Sequence, residues 1–212
     1  IEISSDDSIF IAGSRGGYRD TAFLSKYDSD GNFKWEKTPF LNHSEHINVY
    51  GLTICSDGSV YITGNTNSDL DDQINNGSSD VFITKFDNEG NKKWTKLLGS
   101  SGPESVSDIS TGSDGSIYIT GSTNSAVLDG QSNGGSTVYG YVTNYDAFLT
   151  KFDSDGNKKW TKLLGTSDHE MSSGISIGSD GSIYITGTTN SEVLDGKSNN
   201  GGRDLFLSKF NS

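Results

Sequence analysis

The nonapeptide "SDGSIYITG" occupies residues 113–121 and, letter for letter, residues 179–187. A close relative, "SDGSVYITG", covers 56–64, and a worn copy, "SDDSIFIAG", covers 5–13. Alignment puts Phe10, Tyr61, Tyr118 and Tyr184 at one position, with spacings of 51, 57 and 66 residues. A second block follows each nonapeptide: "DTAFLSKYDSDGNFKW" from Asp20, "DVFITKFDNEGNKKW" from Asp80, "DAFLTKFDSDGNKKW" from Asp146, and the shorter "DLFLSKFNS" from Asp204. Repetition at this period marks an array in which one small unit cannot bury its own faces alone.

Each unit reads as four strands, A to D. Strand A is short and small-residued, B is "SIYITG", C is "DAFLTKFD" and D is "KKWTKLLG". Ser-Asp-Gly-Ser joins A to B and Asp-Ser-Asp-Gly-Asn joins C to D, both tight hairpin turns with a residue at positive φ. Strands B to D carry bulky groups on both faces, so each sheet has to be sandwiched between others. No stretch shows helical periodicity with caps. The expected fold is all-β: a β-propeller of four repeats of four antiparallel strands, the last lacking its outer strand unless other residues complete it. It forms a single domain over 1–212, with blade 1 at 1–40, blade 2 at 41–100, blade 3 at 101–166 and an incomplete blade 4 at 167–212. In a ring of four, blades 2 and 4 would face each other.

Composition narrows function. A net charge of −12 is the wrong sign for nucleic acid. No apolar run approaches the roughly 18 residues that cross a bilayer, so membrane insertion is not expected. The chain opens on Ile1 and not Met, which leads us to expect that a native start has been removed. Cys55 is the one cysteine, so no internal disulfide forms; at its repeat position a small buried thiol is expected. The recurrent Lys26, Lys85, Lys151 and Lys209 are expected to pair with Asp20, Asp80, Asp146 and Asp204, and Trp35, Trp94 and Trp160 to anchor blade packing.

The pattern G-S-D-G-S-I-Y-I-T-G-x-T-N from Gly112 and Gly178, with D-x-F-x-x-K-[FY]-D-x-x-G-N-x-x-W from Asp20, Asp80 and Asp146, resembles the bacterial SBBP propeller repeats, including tandem versions in cyanobacterial surface proteins. That resemblance implies secreted or cell-surface binding and scaffolding roles and carries over no catalytic residue.

The B–C loops are where the copies disagree. They cover 14–19, 66–79, 123–145 and 189–203, the third being eight residues longer than the fourth. Loops that vary on a fixed scaffold are the usual seat of binding. Asp129, Asn133, Asp195 and Asn199 offer oxygen ligands for Ca²⁺ or another divalent cation, although Asx turns would use the same groups. Tyr139, Tyr141 and Tyr145 suit sugar stacking or protein contact. The turns at 28–32 and 153–157 look like the opening of a calcium loop but lack the glutamate that completes one. His46, Pro103 and His169 share a repeat position, so His46 and His169, with Glu104 and Glu170 nearby, form a candidate transition-metal set at the channel mouth. The non-repeating His43, Glu45, Asp168 and Arg15 make no recognisable catalytic group. The expected function is a non-enzymatic, extracellular or cell-surface module that binds a protein or glycan through its B–C loops. Two alternatives stay open: a structural repeat unit of a larger surface protein, and a metal-dependent hydrolase or lyase at the channel.

Overall fold

The computed structural model describes residues 1–16, 21–40, 46–135, 137–138, 141–199 and 201–211; at 137, 138, 141 and 142 the description is of the backbone. Among them there is no helix. Blade 1 comprises β1 (Glu2–Ile3), β2 (Ile9–Arg15), β3 (Thr21–Tyr27) and β4 (Phe33–Lys37). Blade 2 comprises β5 (Ile47–Ile54), β6 (Val60–Thr66), β7 (Asp80–Phe86) and β8 (Lys92–Leu98). Blade 3 opens with β9 (Glu104–Thr111) and β10 (Ile117–Thr123). Two small hairpins follow in its B–C loop, β11 (Val127–Leu128) with β12 (Gln131–Ser132) and β13 (Thr137–Val138) with β14 (Tyr141–Val142). It closes with β15 (Asp146–Phe152) and β16 (Lys158–Leu164). Blade 4 has β17 (Glu170–Ile177), β18 (Ile183–Thr189), the hairpin β19 (Val193–Leu194) and β20 (Lys197–Ser198), and β21 (Asp204–Phe210). Every ladder within a blade is antiparallel between chain neighbours, in the order A-B-C-D, and blade 4 stops at C.

The repeated nonapeptide explains itself here. Its Asp caps the A–B turn: Asp114 accepts the Ser116 N–H at 3.0 Å and its hydroxyl at 2.8 Å, and Asp57 and Asp180 do the same in their blades. Gly115 sits at φ 78°, where blade 1 uses Asp7 at φ 60°. The closing glycine answers a different need. A Cβ on Gly121 would lie 2.1 Å from the Ser105 carbonyl oxygen and 2.6 Å from the Phe148 ring, at the bulge where strand A shifts register.

Strand A of each blade lies across strands A, B and C of the blade before it, so the sheets stand side by side in chain order. Three apolar clusters fill the seams, and Cys55 is buried in one of them, as its repeat position led us to expect. The tryptophans lean on the strand B ring of their own blade, Trp35 on Phe10, Trp94 on Tyr61 and Trp160 on Tyr118, at 5.9–6.2 Å between centroids. The lysines depart from expectation. They lie over those same rings, and Lys26 and Lys85 reach the C–D turn of the next blade, donating to Asn88 and to the Ser154 carbonyl. Lys151 and Lys209 lie 3.8 Å from Asp114 and Asp180. Asp80 and Asp146 are buried away from them, and Asp20 lies outside the described residues.

Among the described residues no strand of blade 1 is in substantial contact with a strand of blade 4, so no closed ring is seen there. Both faces of β7 and β15 are covered, whereas β21 alternates: Leu205 is 85% and Leu207 69% exposed. These two leucines lie on the face that the following blade covers in blades 2 and 3.

Candidate functional site

By the antiparallel connectivity, all B–C loops and all D-to-A connections emerge at the same end of the sheets. The described parts of the B–C loops there are held by turns and hydrogen bonds. In blades 3 and 4 the chain leaves strand B through a short hairpin whose tip is Asp129-Gly130 or Asp195-Gly196, with φ of 50° and 76° or 48° and 72°. Two successive positive φ values make a type I′ turn, which Asp-Gly tolerates well. Blade 2 builds the same tip with Asp71 and Asp72. Leu70, Leu128 and Leu194 pin the hairpins to the core.

Asparagine finishes each loop. Asn133 donates from its amide to the Thr123 carbonyl at 3.2 Å and accepts the Gly135 N–H at 2.8 Å, and Asn75 and Asn199 repeat the arrangement. The oxygens that Asn133 and Asn199 offered to a cation are therefore engaged in holding the loop. Asp129 is engaged too: Lys158 and Thr161 of strand D both donate to its carboxylate. Asp71 holds Lys92 and Thr95 in the same way, each at 2.6 Å. Asp195, in the blade without strand D, has no such partner among the described residues.

The calcium-like turns are equally self-contained. Asp153 accepts the N–H groups of Asp155 and Asn157, the Asn157 amide, and Lys159 at 2.6 Å, so both carboxylate oxygens are taken. These donors hold its carboxyl, and those of Asp28 and Asp87, below the usual range.

The candidate metal set is not brought together. Glu104 and Glu170 are wholly buried in two different seams. Glu104 accepts from Thr123 at 2.6 Å, Ser125 at 2.5 Å and the Ser100 N–H at 2.8 Å; Glu170 accepts from Thr189, Ser191 and the Thr166 N–H. His169 stacks on Tyr145 at 5.9 Å and its Nδ1 accepts the Tyr145 N–H. His46 is exposed. Among the described residues no three His, Cys, Asp or Glu side chains gather as a metal would require. Tyr139, His43 and Glu45 lie outside the described residues, as does the side chain of Tyr141.

Beside each buried glutamate stands a buried aspartate, Asp80 or Asp146, that the sequence had suggested only as a partner for lysine. Asp80 accepts the Asn76 N–H and Asp146 the Gly134 N–H, while the second oxygen of each has no hydrogen-bond partner among the described residues. Burial pushes Asp146 up to about 6, with the Glu170 charge adding to it, and raises Asp80 and Glu104 as well. A perturbed carboxyl is a common mark of an active site. Here the groups are sealed in the seams, out of reach of a substrate.

Among the mostly polar residues exposed at the loop end stand three aliphatic side chains. Ile74, Val127 and Val193, on the B–C loops of blades 2, 3 and 4, are 68%, 46% and 50% exposed. The hairpins of blades 2 and 3 are tied to strand D through Asp71 and Asp129, and all three are pinned to the core by a leucine.

The family model of the SBBP beta-propeller repeat matches residues 93–129 and 159–195, each span running from strand D of one blade into the B–C hairpin of the next. The chain carries SBBP beta-propeller repeats. The chain is 30% identical over 169 residues to the regulatory protein FlaEY of Caulobacter vibrioides, across 73% of its own length. It is 26% identical over 196 residues, or 81% of its length, to an uncharacterized WD repeat-containing protein, L264, of Acanthamoeba polyphaga mimivirus. It spans 17% and 14% of those two proteins. A crystal structure of a protein of unknown function from Bacteroides caccae aligns with 82% of this chain and 49% of that one, at a TM-score of 0.44 and 8% identity.

Proposed function

We propose that this chain is a non-catalytic binding module of the propeller class, which holds a protein partner outside the cell or at its surface through the B–C loop hairpins. The observation that carries the reading is the exposed aliphatic trio Ile74, Val127 and Val193 on loops whose hairpins a buried leucine anchors to the core. Preorganised apolar groups lose little entropy on docking, and a protein surface is the partner that rewards them. A glycan would instead call on the loop tyrosines. The name of one relative, a regulatory protein, fits a part that recruits other proteins. In this reading the blades belong to a propeller whose ring is complete once the open faces at its two ends are covered. A divalent cation would enter at the loop end, because the C–D turn carboxylates already hold their full set of donors. A rise in melting temperature with Ca²⁺ but not Mg²⁺ would add that ion.

The test compares Ile74→Ser/Val127→Ser/Val193→Ser with a control altered at the opposite end, Asp30→Asn/Asp155→Asn. Quantitative pull-down should lose its bound proteins with the first and keep them with the second. Retention by the first variant overturns the proposal. Binding to a glycan array that the triple change leaves intact points to sugar instead. The greater length of the two relatives favours a structural unit as the second reading, and a chain that captures nothing in either assay supports it.

A further inference from the structure

The junction between blades 3 and 4 is open at the loop end where the junction between blades 2 and 3 is drawn shut. In the earlier one, Gly102 settles onto the next B–C loop and donates its N–H to the Ser125 hydroxyl at 2.9 Å. A Cβ on Gly102 would lie 3.0 Å from the Ser125 nitrogen and 3.1 Å from the Asn124 carbonyl carbon. One blade on, the corresponding residue is Asp168, whose side chain does not fit that approach, and the Ser191 hydroxyl accepts from Thr166 instead. Between the two walls lies a cavity of about 400 Å³, lined by Thr166, Ser167, Asp168, Asn190, Glu192 and Val193. Glu192 stands where blade 3 has Ala126, so two acids replace a glycine and an alanine. Both walls are internal to the chain. In blade 3 the loop meets its successor at Gly134 and Asn144, and Ala126 stays exposed, so a following blade leaves this position open.

Hydrogen bonds hold the walls in place. Asn144 donates to the Thr166 and Asp168 carbonyls at 3.3 Å and 2.7 Å, the Asn190 N–H to the His169 carbonyl at 2.9 Å, and the Asn199 N–H to the Glu192 carbonyl at 2.8 Å. Asp168 accepts the His169 N–H through one oxygen at 2.8 Å. Its other oxygen and the whole Glu192 carboxylate have no partner among the described residues. With the wall carbonyls engaged, the half-dozen or more oxygens that Ca²⁺ gathers are not on offer here. A guanidinium suits what remains. It presents donors in one plane to more than one carboxylate, gives up water more readily than an ammonium, and trails a methylene stem that Val193 can receive.

We propose that this cavity is an arginine socket, which takes one arginine side chain of the docking protein between Asp168 and Glu192 with its stem along Val193. The socket rests on the docking reading above and adds to it the chemistry of the partner. A net charge of −12 favours the approach of a cationic group.

The test titrates the full chain with N-acetyl-L-arginine amide and follows the backbone NMR signals of Asp168, Asn190 and Glu192. Saturable shifts centred on these residues are expected. N-acetyl-L-citrulline amide, of the same shape without the charge, should bind at least about threefold more weakly. Asp168→Asn/Glu192→Gln should bring arginine down to the citrulline level. Both changes are isosteric at exposed positions and keep an oxygen for the His169 N–H, so melting temperature should hold. Equal affinity for the two probes overturns the proposal, as does a double variant that binds arginine as well as the parent chain. In pull-down, the double variant should weaken capture, and the difference should shrink at high salt; capture that it leaves unchanged also overturns the socket. The docking reading fails separately, because Ile74→Ser/Val127→Ser leaves the socket intact. Capture that survives that pair counts against the aliphatic surface, whereas a missing preference for arginine counts against the socket alone.

Discussion

The seam between blades 1 and 2 and the two seams that follow it solve the same packing problem with opposite chemistry. At the later seams a glycine, Gly99 or Gly165, ends strand D, and five residues on a buried glutamate opens strand A. The missing side chain leaves room for the carboxylate of Asp80 or Asp146: a Cβ on Gly99 would lie 2.0 Å from an Asp80 oxygen. At the first seam the corresponding positions are Phe40 and Ile47, both buried, with Phe40 edge-on to Phe82 at 5.4 Å. Thr66 keeps the place that Thr123 and Thr189 hold, but it donates to the Ser68 carbonyl and meets no acid. A polar seam depends on a set of mutually satisfied donors and on one absent methyl group. At Phe40 and Ile47 the apolar seam depends on volume instead.

The comparison can be broken most forcefully from the apolar side. Phe40→Ala should cost about 3–5 kcal/mol, through lost burial and the cavity left behind, read as a shift of the urea midpoint. From the polar side, Gly99→Ala adds one methyl group against a buried carboxylate. It should cost about 1–3 kcal/mol, and an additional Asp80→Ala should recover part of that loss if the clash is its cause.

Acidity sharpens the contrast. Asp146 holds its proton up to about 6 in the folded chain, against 3.8 as the ordinary value. Between those limits the folded state binds the extra proton, so stability falls as pH rises from 4 to 6, by on the order of 1–3 kcal/mol. Asp146→Asn should flatten melting temperature across that window. The C–D turn aspartates, whose carboxyls are held low, act in the other direction and only below about pH 4. The smallest effect concerns the hairpin tips. Asp129→Ala should cost about 1 kcal/mol by releasing Lys158 and Thr161. Asp195→Asn, which keeps a residue suited to the positive φ and has no such partner to release, should leave the midpoint where it is.

Strand order, turn positions, the buried thiol and the tryptophan anchors were legible in the sequence because each follows from local pattern and repetition. The role of Glu104 and Glu170 was not, and reading them as metal ligands overlooked a signal already in the alignment. The copies vary in pairs, Gly with Glu and Phe with Ile, as residues do when they share a space. Asn133 and Asn199 misled because an amide that closes a loop and one that awaits an ion look alike in one dimension. The partners of Asp129 lie about 30 residues away on another strand, so no local reading finds them.

Identical blades pose a hazard during folding, because a newly made strand B has several strands A of equal appeal. The two kinds of junction act as keys against mis-threading. A strand A that begins with an acid is refused where Phe40 fills the gap, and one that begins with Ile47 leaves hydroxyls and an amide unanswered at the later positions. Confusion is then confined to the last two copies, and kinetic traps in refolding should consist of β9 and β17 exchanged, with the first half of the molecule correctly assembled.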